Sequence, residues 1–311
     1  MHCLITNKSV IRMTGEDSQK FLQSQLTANI EQLDSGASTL ACQCSAKGKT
    51  WAIMQVIAQN DGYLLVMDQG CGENSLAELK KYSVFSKVDI DDISAEYTLL
   101  GVASNALPTA ITAVLAEHNT QAPEGHLQST CIDNDAILTH YAVPGATPRW
   151  TLLAPSSHAL IAALKALPEM PHAQWEVMDI QAGIPKLAQA QSEEYVPQMM
   201  NMQALDAISF TKGCYMGQEV VARTKYLGKN KRAGAILMYP AGVEINAGDT
   251  FELQLGENWR RIGTCLYGAT HDQKTWAFAV LPNDLEKDAV IRLQTQPDAH
   301  FALQTLPYEL D

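Results

Sequence analysis

The 311-residue sequence lacks the marks of several large protein classes, and each lack excludes something. No apolar run approaches the roughly 20 residues of a membrane-spanning helix; stretches such as Trp51 to Ile57 are cut short by Gln or Asp. Met1 to Asp17 has no basic region followed by an apolar stretch and a small-residue cleavage site, so no secretory signal is read and a cytoplasmic location is expected. The seven cysteines, at positions 3, 42, 44, 71, 131, 214 and 265, form no C-x-x-C pair and no His/Cys grouping with zinc spacing, so no metal site is expected. Their odd number points to free thiols in a reducing compartment. Cys42 and Cys44 fall on one face of a strand, as two small buried side chains would. Basic charge is scarce: 22 Lys and Arg stand against 34 Asp and Glu, a formal net charge of -12, so a polyanion is repelled on average and any nucleic-acid contact needs a local patch. Low-complexity tracts and short repeats are absent, which removes disorder as a reading.

What is present is an ordinary globular composition, 46% hydrophobic and 18% charged, at a length that exceeds one compact core. Lys8 to Met13 reads as a strand, followed after Thr14-Gly15 by a helix with Leu22, Leu26 and Ile30 on its apolar face. Trp51 to Ile57 and Tyr63 to Met67 form a hairpin through Asn60-Asp61-Gly62. A helix near Ser75 to Tyr82 and a strand near Val84 to Ile90 complete a first α+β unit, residues 1–92. A second unit of similar grammar spans 93–232: strand Tyr97 to Ala103, a helix after Pro108, strands Ala136 to Val143 and Arg149 to Ala154, and a helix from Ser157 to Leu167. From residue 233 to 311 short alternating runs, Ile236 to Tyr239, Thr250 to Leu255, Arg261 to Leu266, Trp276 to Leu281, Val290 to Leu293 and Phe301 to Leu306, read as a small antiparallel barrel or sandwich.

The chemistry concentrates in Lys212-Gly213-Cys214-Tyr215-Met216-Gly217-Gln218-Glu219. Glycines at 213 and 217 let a backbone approach a flat ligand or take positive φ. A neighbouring ammonium and a helix N-terminus both favour thiolate over thiol, and Gln218 and Glu219 add an adaptable amide and an acceptor. A buried, purely structural Cys214 competes with this reading, because free cysteine is so often buried. No histidine is near in sequence to make a protease-like dyad. Downstream, Arg223, Lys225, Lys229, Lys231 and Arg232 occur without an acid between them. They suit RNA phosphates, with Tyr226 available to stack, or the carboxylates of a ligand tail; a solvated loop is the plain alternative.

This motif, with its continuation through Val220 to Arg232, closely resembles the signature of the bacterial YgfZ proteins, folate-binding relatives of the glycine-cleavage T-protein. Further segments resemble the family in the expected order: Thr14 to Ser18 with Phe21-Leu22-Gln23, Cys44 to Lys49, Lys80 to Lys87, Gly256 to Arg261, and Leu306-Pro307-Tyr308. The resemblance implies a T-protein-like α+β folate-binding fold, with two ferredoxin-like units and a C-terminal antiparallel β-barrel. It also implies tetrahydrofolate as ligand, a part in tRNA modification and in maintaining iron-sulfur enzymes, and Cys214 as the functional thiol with Lys212 beside it. By the same resemblance the folate contacts fall on Trp175, which precedes Ala182-Gly183-Ile184-Pro185, and on Lys8, Gln181, Gly213, Tyr215, Gly217, Gln218, Glu219 and Arg223.

Three departures qualify that picture. Lys8 stands where relatives often carry a tryptophan, and Gln181 where T-protein relatives carry a glutamate that pairs with the pterin edge. An amide keeps the acceptor but loses the charge, which weakens folate binding by roughly 1 kcal/mol or more. The Asp-Asp pair of T-protein enzymes aligns with Trp51 and Ala52, so the group that assists aminomethyl transfer is missing. An accessory factor is therefore expected ahead of a folate-dependent one-carbon transferase, with a scaffold that has lost its ligand as the third reading.

Overall fold

A computed structural model describes residues 1–133, 135–143, 147–226, 228 and 230–310. The described residues form sixteen strands: β1 His2–Leu4, β2 Lys8–Thr14, β3 Ser38–Cys44, β4 Thr50–Gln59, β5 Gly62–Asp68, β6 Asp89–Asp92, β7 Tyr97–Ala103, β8 Ser129–Cys131, β9 Ile137–Tyr141, β10 Arg149–Pro155, β11 Arg232–Tyr239, β12 Thr250–Leu255, β13 Asn258–His271, β14 Lys274–Pro282, β15 Ile291–Leu293 and β16 Gln296–Gln304. The α-helices are α1 Ser18–Gln25, α2 Gln69–Tyr82, α3 Thr109–Glu117, α4 Ala159–Lys165, α5 His172–Gln181 and α6 Gln218–Tyr226. The chain divides into two compact units, each built from separated segments: Met1–Gln43, Ala52–His172 and Asp206–Met216 in the first, and Cys44–Trp51, Ala173–Leu205 and Gly217–Asp311 in the second.

The first unit carries two five-stranded sheets, ordered β1-β7-β10-β9-β8 and β3-β4-β5-β2-β6. Period-2 alternation decides which core each side chain enters. In β7, Leu100 and Val102 join a cluster with Ile111 and Leu115 of α3 and Leu160, Ile161 and Leu164 of α4. Tyr97 and Leu99, on the other face, join Val10, Ile57, Leu64 and Val66 of the second sheet. A sheet covered on both faces must be apolar on both, which is why β7 and β10 read as nearly continuous hydrophobic runs. The hairpin expected at Asn60-Asp61 forms, with Gln59 opposite Gly62.

Several expectations shift. The helix after Gly15 ends at Gln25, and Leu26 is extended, with φ -111° and ψ 155°. Leu22, Leu26 and Ile30 are nonetheless all fully buried. The strand expected near Val84 to Ile90 is confined to Asp89–Asp92. Val84 and Phe85 lie in a turn, 72% and 100% exposed, closed where Ser86 N–H donates to the Ser83 carbonyl (2.8 Å) and Lys87 N–H to Asp17 Oδ2 (2.8 Å).

In the second unit β11-β14-β13-β12-β15-β16 close into an antiparallel barrel. All six runs read from the sequence overlap strands of it, with Val290, Thr305 and Leu306 falling outside β15 and β16. Phe251, Ile262, Leu281, Leu293 and Phe301 fill its interior. Among the described residues no helix is long and apolar enough to cross a membrane.

Asn201 fastens this unit. It is fully buried and left-handed, with φ 62°. Its Oδ1 accepts from Gly234 N–H (2.9 Å) while its Nδ2 donates to the Gly234 carbonyl (2.8 Å). The same Nδ2 reaches Tyr308 Oη at 3.3 Å, and that hydroxyl donates to the Gly183 carbonyl at 2.6 Å. Asn201→Ala strands the buried N–H and carbonyl of Gly234 and puts alanine, which tolerates the left-handed region less well than asparagine, at φ 62°. Denaturant unfolding is expected to show a loss of about 3–5 kcal/mol; a loss below 1 kcal/mol would remove Asn201 from this role.

Candidate functional site

The motif spans the two units, since the first ends its last segment at Met216 and the second resumes at Gly217. On the first-unit side, Lys212 is buried and its ammonium donates to three backbone carbonyls: Gln23 (2.7 Å), Leu26 (2.8 Å) and Ala28 (2.6 Å). These oxygens lie where α1 unravels, and a helix end leaves carbonyls without intrahelical partners. An ammonium has three donors, so the match is complete. Burial pushes the Lys212 pKa down to about 8, with Glu31 acting in the opposite sense. The expectation of an ammonium directed at the neighbouring thiol gives way to a different placement, because all three donors go to carbonyls at and just beyond the end of α1.

The rest of the segment is tied to the same place. Thr27 Oγ1 donates to the Ala207 carbonyl (2.6 Å), Ser209 N–H donates to the Thr27 carbonyl (2.9 Å), and Met216 N–H donates to the Ser24 carbonyl (3.0 Å). Tyr215 is buried, with the Lys212 ammonium 5.2 Å from its ring centroid. Between these anchors Gly213 and Cys214 face outward. Of the seven cysteines Cys214 is the exposed one; Cys131 is intermediate and the others are buried. Cys42 and Cys44 are both fully buried, as their spacing in β3 requires. Burial pushes the Cys44 and Cys71 thiols up to about 12, which suppresses their thiolates.

On the second-unit side, Gly217 has φ +81°, and a β-carbon there would stand 2.5 Å from the Ser45 carbonyl oxygen and 2.9 Å from Gly48 Cα. The turn Cys44 to Lys49 thus lies backbone against backbone on the start of α6. Gln198 Nε2 holds that helix from within by donating to the Val221 carbonyl at 2.6 Å. Gln218 opens α6 and Glu219 lies in its first turn, where negative charge complements the helix dipole. Arg223 and Lys225 occupy its last turn and are exposed, as are Lys231 and Arg232 beyond it. Lys229 lies outside the described residues.

The remaining candidates are distributed as follows. Trp175 is 2% exposed, in the buried row of α5 with Val177, Asp179 and Ile180, whereas Gln181 at the end of that helix is exposed. Lys8 pairs with Asp68 at 2.5 Å across the β2–β5 register. Sequence reasoning missed a buried acid beside Trp175: Asp179 binds Lys186 at 2.9 Å, and the same ammonium lies 3.4 Å from Glu176 and 5.1 Å from the Tyr267 ring centroid. The available signal was Lys186 directly after the Ala-Gly-Ile-Pro run. Among the described residues no group of three or more His, Cys, Asp or Glu is placed to hold a metal.

Comparison with known proteins follows the same lines. Residues 230–296 match the family model described as "YgfZ, beta-barrel domain". The chain is 40% identical over 306 residues to the tRNA-modifying protein YgfZ of Yersinia pestis (strain Pestoides F), covering 97% of this chain and 90% of that one. It is 38% identical over 304 residues to the tRNA-modifying protein YgfZ of Serratia proteamaculans (strain 568), with the same coverage. Among solved structures, glycine cleavage system aminomethyltransferase T from Bartonella henselae superposes with a TM-score of 0.68 at 17% identity, over 98% of this chain and 85% of that one. That likeness is one of fold.

The glycines make a paired test. A β-carbon at Gly213 meets nothing within 4 Å, so Gly213→Ala is expected to change stability by no more than about 0.5 kcal/mol. Gly217→Ala adds left-handed strain to a backbone collision and is expected to cost about 2–4 kcal/mol. Equal costs in chemical denaturation would contradict the placement of this turn.

Proposed function

The chain belongs to the YgfZ family, and on that premise we propose that it is a tetrahydrofolate-binding accessory factor in tRNA modification and the upkeep of iron-sulfur enzymes, acting through the thiol of Cys214. The observation that carries the proposal is the pairing of one exposed thiol with an adjoining glycine whose β-carbon position is empty space. Free cysteine is usually buried, and six of these seven are at least partly so. A cysteine exposed to solvent between two anchored flanks supports a role in chemistry or partner binding over one in packing.

The residues fit a folate ligand unevenly. Gln181 in the second unit offers an exposed carboxamide with donor and acceptor for a pterin edge. Trp175, with its indole inside the packing, serves as the footing of the helix that carries Gln181. Lys8, neutralised by Asp68, is a weak attraction for a glutamate tail. When bound, tetrahydrofolate supplies a carrier for one-carbon groups. An accessory role is favoured over aminomethyl transfer because the positions aligned with the T-protein carboxylates hold Trp51 and Ala52 in β4.

Arg223, Lys225, Lys231 and Arg232 are the exposed cations proposed to meet RNA, along with Lys229.

Binding and thiol function separate in two measurements. Calorimetry with tetrahydrofolate is expected to show wild type and Cys214→Ala binding alike, and Gln181→Glu binding about 5–10-fold tighter, the equivalent of one added charge-assisted hydrogen bond. In cells lacking the protein, Cys214→Ala is expected to leave tRNA modification unrestored where wild type restores it. No tetrahydrofolate binding by wild type would remove the cofactor; full rescue by Cys214→Ala would remove the thiol.

A further inference from the structure

The second unit holds an open groove of about 480 Å³ against the barrel, lined by Lys49, Tyr195, Arg232, Arg261 and Thr264, with Glu194 as the one acid in its lining. We propose that this groove binds the phosphodiester backbone of RNA; the assignment rests on the tRNA reading above and gives it a contact surface beyond the Arg223–Arg232 stretch.

Charge is the first support. Three cations against one carboxylate make the groove locally positive on a chain of net charge -12. None of the three is ion-paired among the described residues. Each is held by an uncharged oxygen instead: Lys49 Nζ donates to the Glu194 carbonyl (2.8 Å), Arg232 Nη1 to the Ile262 carbonyl (2.9 Å) and Arg261 Nη2 to Gln294 Oε1 (3.1 Å). These bonds aim the side chains without cancelling their charge. Guanidinium groups so presented retain further donors for a phosphate oxygen.

Preorganisation is the second support. The groove wall at 191–195 is fastened where Gln191 Nε2 donates to the Cys265 carbonyl (2.7 Å), Tyr195 Oη meets Thr264 Oγ1 (2.5 Å), and Thr50 N–H donates to the Tyr195 carbonyl (2.8 Å). Little ordering is left to oppose binding. The groove is open to solvent and not enclosed, so a segment of a strand can lie in it.

Three phosphate contacts to a single strand give a log–log salt slope of about -2, or about 20-fold weaker binding between 50 and 200 mM salt. The test is fluorescence anisotropy of a labelled 15-nucleotide single-stranded RNA with the full chain. Arg261→Gln is expected to weaken binding about 3–10-fold and to reduce the slope by about 0.7, with Lys49→Gln acting alike. Lys274→Gln, at the exposed start of β14, is expected to change neither. Should Lys49→Gln fail to fold, Arg261→Gln decides alone, since its side chain is exposed and bonded only to Gln294 among the described residues. Unchanged affinity and slope in Arg261→Gln, with wild type binding RNA, would overturn the groove and leave the tRNA reading standing. No RNA binding by wild type would overturn both. Loss of labelled triglutamate binding in these variants, with RNA binding intact, would overturn the RNA assignment in favour of a carboxylate tail.

Discussion

One buried ammonium organises the thiol segment. Lys212 closes the frayed end of α1 by donating to Gln23, Leu26 and Ala28, so a side chain from residue 212 completes a helix that ended near residue 25. Unsatisfied carbonyls at a buried helix end are costly, and so is an uncompensated buried cation; each removes the other's cost. Because the lysine is fixed, the backbone on either side of it is fixed, and two residues later the thiol emerges at a defined place. The Met216–Ser24 bond closes the far side, so Cys214 emerges between two anchored flanks.

The two glycines of the motif divide the remaining labour. Gly217 is compressed against Ser45 and Gly48, where any side chain collides, and it belongs to the folding of the turn and α6. A β-carbon at Gly213 would meet nothing within 4 Å, so its missing side chain leaves room there. A motif that looks chemically uniform therefore mixes residues that build the loop, Lys212, Tyr215 and Gly217, with two that face solvent, Gly213 and Cys214. The exposed cations in and after α6 and those held in the barrel groove are the positively charged places on which the RNA proposal rests.

Local patterns carried much of the fold. The six barrel strands, β7 and α3 declare themselves through alternation or through a proline at the helix start, and the Cys214 motif was visible as a run of unusual residues. What stayed hidden depends on distant partners. β1 is three residues that become a strand only by pairing with β7, His2 opposite Val102. Val84 and Phe85 look like a strand, yet Asp17, far back in the chain, closes them into a turn. Lys212 reads as an activator of the thiol next to it, whereas its donors go to carbonyls more than 180 positions away in sequence. Lys49 and Arg261 are ordinary exposed cations until the fold brings them to one groove.

The central claim is that Lys212 holds the loop up and does not activate its sulfur. The direct measurement is Lys212→Met, with unfolding free energy and the labelling rate of Cys214 by an uncharged thiol reagent taken on the same samples at one pH, well below the melting temperature. Three stranded carbonyls predict a stability loss of about 2–4 kcal/mol with labelling within about threefold of wild type. Unchanged stability with labelling slowed tenfold or more would show the ammonium acting on the thiol and would contradict the account.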